Sequence, residues 1–542
     1  MSDQSPAKKE TSTMHIETST LPSAQTALAT QQAVYEKSLT FWQTLRIFWR
    51  STLWIMYGQL VVFGFGIDGV IAGYLLAVPR FRQDYGTSYI VSGAPAYIIP
   101  ANKQALYNGI SQLTAIIGAL ITGTLADAIG RRATNFLFCV ISIGGVAAQF
   151  WSNGDLGILT VGKAINGFSI GAWLIIGPLY ASEVAPLKLR GWLTSITNIV
   201  QFSGVLLFTG IIYAIGANDS KSSYLILFGS QWIIPSIVIL TVYFWPESPV
   251  WLCRVNKPEQ AKAALRRIHG SDNEIDIEGI LAQIQDTIAH EDSAKEATSS
   301  ASYMECFKGA DRRRTLICMF VYGCQYLSGI VFVLGYQSYY YQLIGYSAKK
   351  SFLLGMLNNT FQFIANILSW FLIDTSGRRP LIVWGQFLCA VALFVIGGTS
   401  LPGTYAGYLT TVCFMFVWGF VYQLTLGTVA WSVVAELASF RLKSRTQGLA
   451  NFVLCLVQWT VGFTFPYMFN PDQGNLGGKV GFIFGATTFV GFLGVFFWLP
   501  ETKGRTSLEL DELFERKISA RNFATTKTNL EEEVDGDKNE TV

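Results

Sequence analysis

Long apolar runs recur along almost the whole chain, and they constrain its fold more than any other feature. Stretches such as LTAIIGALITGTLA and VGFIFGATTFVGFLGVFFWLP approach or reach the ~20 residues with which a helix crosses a bilayer core. Hydrophobic residues make up 51% of the 542 and charged residues only 14%, against roughly 25% charged in an average soluble protein. Such an excess of apolar side chains needs lipid as its solvent. The pattern predicts an all-α membrane protein that crosses the bilayer many times.

The apolar runs number twelve and predict twelve transmembrane helices. We place these helices at 52–79, 104–126, 134–151, 156–180, 192–215, 223–245, 315–343, 351–373, 380–400, 405–434, 446–468 and 479–499. Only one long internal polar stretch interrupts the series, between the sixth and the seventh runs.

The polar stretches divide the chain into five parts. We expect a cytosolic N-terminal tail at 1–50, a six-helix bundle at 51–248, an intracellular helical linker at 249–314, a second six-helix bundle at 315–500, and a cytosolic C-terminal tail at 501–542. Arg and Lys gather in the loops on the linker's side, as at Arg131 and Arg378, and positive loops stay cytoplasmic. Arg80, Arg82 and the pair at 349–350 are exceptions. Both termini and the linker are therefore predicted to be cytoplasmic.

The second bundle repeats motifs of the first at a nearly constant offset. DAIGRR returns as DTSGRR, SEVAPLKLRG as AELASFRLKSR, and PESP as PETKGR. The offset is 253 residues between Glu183 and Glu436, and 254 between Glu247 and Glu501. Two homologous six-helix halves explain this repetition. Such halves are typical of secondary transporters, which hold the substrate near the midplane between two rocking units.

Charged residues recur at the linker-side helix ends of both halves. A charge at a helix centre costs about 2.5–3.5 kcal/mol, so the recurrence needs a reason. Arg can fork onto a carboxylate with two hydrogen bonds, and we expect such pairs to face each other across the boundary between the halves and hold the cytoplasmic side shut. The predicted gating residues are Asp127, Arg131, Arg132, Glu183, Arg190, Asp374, Arg378, Arg379, Glu436 and Arg441. The alternative is that GRR only satisfies the positive-inside rule.

Several motifs follow one another in a characteristic order. They are GTLADAIGRR, VGKAINGFSIGAWLIIGPLYASEVAPLKLRG, PESPVWL, Q-x-L-S-G at 325–329, DTSGRRP and PETKGR. Together they resemble the signature set of the sugar porter family of the major facilitator superfamily, over the chain from about Trp54 to Phe523. The resemblance implies alternating access between two six-helix bundles, with the central segment as a small intracellular helical domain.

Asp68 is a charged residue in the otherwise apolar first span, FGFGIDGVIAG. The resemblance implies that it takes up and releases a proton, paired with a basic residue in the fourth helix. Lys163 stands at that basic position, where the family usually has Arg. A buried carboxylate favours its protonated form and a nearby cation reverses this, so moving the partner would switch the protonation. Asp68 and Lys163 are therefore the predicted proton-coupling pair, with a structural salt bridge in a facilitator as the alternative.

Sugar recognition needs amides and hydroxyl-bearing rings that bond several hydroxyls, and an aromatic face for the C–H surface. By the resemblance, the predicted substrate-binding residues are Asn198, Gln325, Tyr336, Gln362 and Trp431. The chain departs from the family's polar set, with Tyr326 for the second Gln of the seventh helix, Val331 for the following Asn, and GTVAW without prolines in the tenth. The alternative for each predicted residue is bonding or packing between helices.

Three further stretches are FKGADRRRT, PYMFNPDQGNLGGKVGFIFG and ELFERKISARNF. They resemble a narrower branch, the fungal α-glucoside permeases for maltose and sucrose, but lie outside the predicted pocket. We therefore predict sugar:proton symport of α-glucosides. A hexose or polyol transporter, symporter or facilitator, is the second possibility. A non-transporting sugar sensor is the third, and the chain lacks the long signalling tail expected of one after EEEVDGD.

Other functional classes find little support. The three His lie in polar segments without a nucleophile motif or phosphate-binding loop, so we expect no enzyme activity. The eight Cys show no CxxC spacing, so no metal site is expected, and we predict no cofactor. A scattered net charge of +3 argues against a nucleic-acid partner. The predicted partners are a small sugar, a proton and the lipid bilayer, for a monomer in the plasma membrane with a candidate glycosylation site at Asn218.

Overall fold

The first six apolar runs form one helical bundle in the computed structural model. It describes residues 28, 31–32, 35–36, 38–91, 94–270, 276–298, 303–439, 442–503, 505, 507–523 and 525–526. The six spans are Trp49–Gly58 continued by Leu60–Leu75, Ala101–Ile129, Arg131–Phe150, Leu156–Val184, Leu187–Ile215, and Ser222–Ser230 continued by Ile233–Thr241 and a 3-10 turn at Val242–Phe244.

The last six runs form a second bundle with two interrupted helices. Its spans are Gly309–Leu327 continued by a π turn at Val331–Gly335 and by Gln337–Leu343, then Ala348–Ser376, Arg378–Thr399, Tyr405–Leu424 continued by Leu426–Leu437, Lys443–Phe469, and a 3-10 turn at Gly477–Lys479 followed by Val480–Trp498. The seventh span breaks at Gly329, where the backbone is left-handed with φ of +88°. The tenth breaks at Thr425, where φ is −120° and ψ is −94°.

Eleven of these helices, counted among the described residues, are long and apolar enough to cross a membrane. The eighth span, Ala348–Ser376, has 29 residues but is more polar. Its interior carries four fully or almost fully buried amides, at Asn358, Asn359, Gln362 and Asn366. Those amides face protein instead of lipid, which explains how a polar helix fits among the apolar ones. With it, all twelve predicted spans are present as helices.

The two halves repeat one packing pattern. The first span packs on the fifth as the seventh packs on the eleventh, and the second packs on the fourth as the eighth packs on the tenth. Between the halves, the second span meets the eleventh and the fifth meets the eighth. Large apolar side chains such as Leu120, Leu240 and Phe371 stay exposed, as expected for surfaces solvated by lipid.

The linker and both tails contain helices on one side of the bundles, which we call the linker side. The linker helices are Pro249–Arg254, Pro258–His269 and Ile277–Thr298, followed by a 3-10 turn at Tyr303–Phe307. The seventh span begins at Gly309, so the linker ends a few residues before the predicted boundary at 314.

The two predicted tails also carry ordered elements next to the bundles. Phe41–Ile47 is helical within the predicted N-terminal tail, because Thr40 and Gln43 form a capping box. In the other tail, Ser507–Glu515 and a 3-10 turn at Ala520–Asn522 pack beneath the second half. Buried Leu513, Phe514 and Phe523 anchor this tail.

The opposite side carries a β-hairpin that the apolar pattern does not predict. A helix at Pro79–Tyr85 leads into strands β1, Thr87–Val91, and β2, Ala94–Ile98. The strands are antiparallel, with Thr87 opposite Ile98. We call this side of the molecule the hairpin side.

Candidate functional site

A cavity of about 240 Å³ lies between the two halves. The first, second and fifth spans line it from one half, and the seventh, tenth and eleventh from the other. Its walls carry seven amide side chains, at Asn108, Gln112, Asn198, Gln201, Gln325, Gln423 and Gln458. An amide donates and accepts hydrogen bonds, so this lining suits an uncharged ligand rich in hydroxyl groups.

Most of the predicted substrate-binding residues lie in this cavity wall. Asn198, Gln325, Tyr336 and Trp431 all line it. Trp431 is 42% exposed, and its ring centre lies 5.1 Å from that of Tyr322 in a tilted contact, so part of the residue stays accessible. Gln362 is outside the lining, because the eighth span presents its amide to Gly419 of the tenth span.

The structure adds lining amides that the family positions do not include, at Asn108, Gln112, Gln201, Gln423 and Gln458. Their position inside apolar spans could have identified them. A polar side chain there costs free energy, so its presence suggests a functional role. Sequence alone could not separate them from amides that bond between helices, such as the buried Asn358.

Two glycines open space along the same cavity. Gly69 and Gly335 both line it, and a Cβ added at either position would meet no atom within 4 Å. A larger side chain at these positions would therefore project into the ligand space without a backbone clash. The width of the cavity depends on these two residues having no side chain.

The predicted proton-coupling residues form a buried ion pair next to the cavity. Lys163 Nζ donates to Asp68 Oδ2 over 2.6 Å, and the two side chains are 2% and 6% exposed. Asn166 Nδ2 donates to the other carboxylate oxygen over 2.9 Å and also to Gln231 over 3.0 Å. Gly69, the residue after Asp68, faces the cavity. The Asp68 carboxylate thus lies next to the cavity wall, with the buried Lys163 ammonium as its partner.

A buried polar network joins the halves on the hairpin side of the cavity. Tyr74 of the first span accepts hydrogen bonds from Gln337 and Asn359, each over 2.9 Å. Asn358 donates to Gln337 over 2.7 Å, and all four side chains are at most 1% exposed. The backbones come equally close, since a Cβ on Gly73 would lie 1.9 Å from the carbonyl oxygen of Gly335. The first and seventh spans therefore close the hairpin side.

Arg82, one of the exceptions to the charge rule, takes part in the same closure. Its guanidinium donates to Gln342 of the seventh span over 2.6 Å, and Gln342 donates to the carbonyl of Ala77 over 2.6 Å. Burial lowers the pKa of Arg82 from its ordinary value. Arg80 pairs with Asp84 at 3.1 Å. Both arginines are thus held by polar side chains, Arg80 within its own helix and Arg82 across the boundary between the halves.

The loop after the eleventh span latches onto the hairpin and the second span. Asp472 accepts a hydrogen bond from the backbone N–H of Ala101, the first residue of the second span, over 2.8 Å. Asn470 donates to the carbonyl of Ile99 over 3.0 Å, and Tyr89 of β1 donates to the carbonyl of Pro471 over 3.1 Å. We call this set the outer latch. The residues from the second half belong to PYMFNPDQGN, the beginning of one of the stretches that resemble the α-glucoside branch.

On the linker side, the charged residues of the first half pair with one another. Arg131 forks onto Glu183 over 2.6 and 3.0 Å and also reaches Asp127 at 3.1 Å. The Arg131 side chain is only 1% exposed. Arg132 places its guanidinium over the ring of Tyr243 at 5.1 Å.

The second half repeats the arrangement. Arg378 donates to Glu436 over 3.1 and 3.3 Å, and Thr502 donates to the same carboxylate over 2.6 Å. Arg379 donates to the carbonyls of Leu499 and Phe496, each over 2.9 Å. These ion pairs stay within one half, so the expectation that they face each other across the boundary differs from the structure. The GRR turns and the carboxylates belong to one bundle because the spans that carry them are neighbours in that bundle.

The remaining predicted gating residues are placed less fully. Arg190 is exposed and lines a separate cavity of about 590 Å³ between the first half and the linker. Arg441 and the side chain of Asp374 lie outside the described residues.

Glu247 and Glu501 are central to these clusters although they were not among the predicted gating residues. Glu247 accepts from the backbone N–H groups of Arg131 and Arg132, and Glu501 does the same for Arg378 and Arg379. Each carboxylate therefore caps the positive end of a helix dipole. Burial raises the pKa of Glu247 from its ordinary value, against the opposing effect of those backbone donors. The repeated PESP and PETKGR motifs were the available signal.

The glycine of each GRR turn is required by the same geometry. Gly130 and Gly377 have φ of +92° and +88°, a region that favours glycine. A Cβ at these positions would lie 2.5 Å from Glu247 and 2.7 Å from Glu501. Glycine thus permits both the turn and the approach of the capping carboxylate.

Two six-helix halves around a polar cavity, closed on one side and flanked by a buried ion pair, define the class of secondary transporters. The chain belongs to the sugar (and other) transporter family, whose family model matches residues 40–514. It is a multi-pass membrane transporter of the major facilitator fold and not an enzyme. The predicted family and fold class are confirmed.

Relatives and solved structures agree with this assignment. The chain is 31% identical to the MFS transporter fmqE of Aspergillus fumigatus, over 92% of this chain and 93% of that one. It is 30% identical to the general alpha-glucoside permease of Saccharomyces cerevisiae, over 91% of this chain and 79% of that one. The partially occluded inward-open structure of the xylose transporter XylE from E. coli matches with a TM-score of 0.67 at 21% identity, covering 85% of this chain and 100% of that one.

Proposed function

We propose that this chain is a sugar:proton symporter that carries α-glucosides, such as maltose or sucrose, by alternating access. The observation that carries the proposal is the cavity whose amides come from both halves. A ligand bound to both walls changes its access when one half rocks against the other. Hydroxyl groups are the ligand chemistry that seven uncharged amides match best.

Proton coupling is supported by the buried pair of Asp68 and Lys163. The pair adjoins the cavity wall at Gly69, so sugar binding and movement of the first span act on the carboxylate. Separation from Lys163 would favour protonation of Asp68, and renewed pairing would favour release. The proton would therefore move with the sugar once in each cycle.

The proposed gating uses two sets of contacts, one on the hairpin side and one on the linker side. On the hairpin side, the network around Tyr74 and the outer latch separate when the halves rock apart. On the linker side, the clusters around Arg131 and Arg378 keep the helix ends of each half together, so that each half moves as one body. These clusters are proposed to act in gating through that rigidity.

The linker side is proposed to face the cytoplasm. Arg131, Arg132, Arg378 and Arg379 lie on this side, and the positive-inside rule places such loops in the cytoplasm. Both termini then lie inside the cell. A monomer in the plasma membrane is the simplest form that accounts for uptake of an external sugar.

The α-glucoside class is supported by the name of a 30% identical relative, the general alpha-glucoside permease. Two of the stretches that resemble the α-glucoside branch also contact each other, outside the cavity. Arg313 of FKGADRRRT donates to the carbonyl of Ile518 over 2.6 Å and lies over the ring of Phe523, both in ELFERKISARNF. A hexose or polyol transporter is the second candidate. It is favoured by the cavity's volume of about 240 Å³, below the roughly 300–1,000 Å³ of pockets for drug-sized ligands.

The test is the external pH of a lightly buffered suspension of cells that lack their own sugar carriers and express this chain. Maltose, sucrose, trehalose and glucose are added in turn, with Asp68→Asn as the matched variant at equal surface expression. Alkalinisation on α-glucoside addition, lost in the variant, is the expected result. Uptake of labelled sugar without a pH change in either protein would refute symport. A response to glucose alone would favour the second candidate.

A further inference from the structure

Gln112 of the second span brings an unsatisfied polar atom to the cavity. Its Oε1 is buried and has no hydrogen-bond partner among the described residues, and the residue lines the cavity. The opposite wall at this point is Gly462 of the eleventh span, where a Cβ would lie 2.6 Å from Oε1. A buried amide oxygen without a donor is costly, so a donor from a bound molecule is favoured there.

One turn earlier on the same helix face, an amide side chain does have a hydrogen-bond partner in the protein. Asn108, one turn before Gln112, donates from Nδ2 to the hydroxyl of Tyr336 over 2.8 Å. The backbone between them is held in place, because Trp459 donates from Nε1 to the carbonyl of Gly109 over 3.1 Å. The second span thus presents one amide that is bonded to protein, at Asn108, and one turn later an amide whose oxygen is unpaired within the part of the chain that the structure describes, at Gln112.

We propose that Gln112 is a specificity-determining residue whose Oε1 accepts a hydrogen bond from one hydroxyl group of the transported sugar. This inference rests on the proposed function for its ligand class, since a sugar bound in the cavity supplies the hydroxyl donors that can satisfy the oxygen. A sugar that lacks that hydroxyl leaves Oε1 unpaired, and the site discriminates against it. None of the substrate-binding residues predicted from the family positions belongs to the second span.

The test compares Gln112→Leu with Gln149→Leu in the full-length purified protein. Gln149 is a matched control, since it is fully buried in the third span, has no side-chain hydrogen bond among the described residues, and does not line the cavity. Dissociation constants are measured by tryptophan fluorescence for the parent sugar and for analogues that each lack one hydroxyl. The parent sugar is the one that the wild type transports among maltose, sucrose, trehalose, glucose, xylose and sorbitol.

The wild type is expected to bind one deoxy analogue about 10- to 100-fold more weakly than the parent. Gln112→Leu should bind the parent sugar more weakly than the wild type by a similar factor. It should also bind the parent sugar and that analogue with equal affinity. Gln149→Leu should show the same affinities as the wild type. Gln112→Met replaces the leucine variant if the latter does not elute as a folded monodisperse protein.

If Gln112→Leu weakens the binding of the parent sugar and of every analogue by the same factor, Gln112 only shapes the cavity, and the inference is overturned. Unchanged affinity for the parent would overturn it as well. Uptake of only glucose, xylose or sorbitol by the wild type would refute α-glucoside transport, while the same variants still test Gln112 with that sugar. A wild type that binds none of the six compounds would overturn both proposals.

Discussion

The buried pair of Asp68 and Lys163 supports a prediction that separates its electrostatic role from its role in coupling. With side chains 6% and 2% exposed, neither group can turn to water when the other is removed. Removing one member of a buried pair leaves an uncompensated charge and typically costs about 3–5 kcal/mol. Lys163→Met leaves the buried Asp68 carboxylate without its counter-charge, and Asp68→Asn leaves the buried Lys163 ammonium without one. Each single variant should therefore be less stable by about that amount.

The double variant Asp68→Asn/Lys163→Met contains no buried charge. Its free energy of unfolding should therefore return to near the wild-type value, as found when apolar or neutral groups replace whole buried pairs. The asparagine can still accept the hydrogen bond from Asn166 that the carboxylate accepts over 2.9 Å. Stability should recover, while alkalinisation on sugar addition stays absent because no group remains to exchange the proton.

The assay is unfolding in detergent micelles for the wild type, the two single variants and the double variant, combined with uptake and pH recording in cells. A coupling free energy of several kcal/mol between the two substitutions is expected. If the double variant loses as much stability as the two single variants added together, the pair does not act as a unit. Proton movement that persists in the double variant would refute Asp68 as the coupling site.

Three further predictions concern the gates and the linker. Glu247→Gln removes the charge that caps the third span and should lower the free energy of unfolding by about 1 kcal/mol, measured in the same micelles. Asp472→Ala breaks the outer latch and should raise labelling of a cysteine introduced at Gly69, by an impermeant thiol reagent added outside, about 5- to 30-fold. Burial lowers the pKa of His269 from 6.5 to about 4, so the stability of the docked linker is complete above pH 6.5 and falls towards pH 4, by about 2 kcal/mol at pH 5. Hydrogen exchange of the helix Pro258–His269 reports that loss.

Each of these predictions has a control within the chain. Glu501→Gln should reproduce the Glu247 effect in the second half, and a loss in only one half would contradict the repeated capping geometry. Asp155→Ala removes the cap of the fourth span, within the first half, and leaves the outer latch intact. If labelling of the cysteine introduced at Gly69 rises equally in this variant, the increase reflects a general loss of stability and not the outer latch. His269→Gln should abolish the dependence of exchange on pH, and persistence of that dependence would exclude His269 as its source.

Much of the architecture follows from the sequence because the bilayer leaves few alternatives. Backbone groups in lipid must bond within their own segment, so apolar runs of sufficient length become helices. The repeated GRR, SE and PES/PET motifs reveal the two halves because duplicated halves carry the same packing positions. The ion pair of Asp68 and Lys163 was also predicted, since two opposite charges in apolar spans need each other.

Tertiary structure alone decided which polar residues face the cavity and which gate residues meet. Gln362 and Gln112 are both amides in apolar spans, yet one turns to Gly419 and the other to the cavity, because each helix is rotated by its packing against neighbours. For the same reason Arg131 meets Glu183 inside its own half. The outer latch joins Asp472 to Ala101 across 371 residues of chain, a contact that no local pattern specifies.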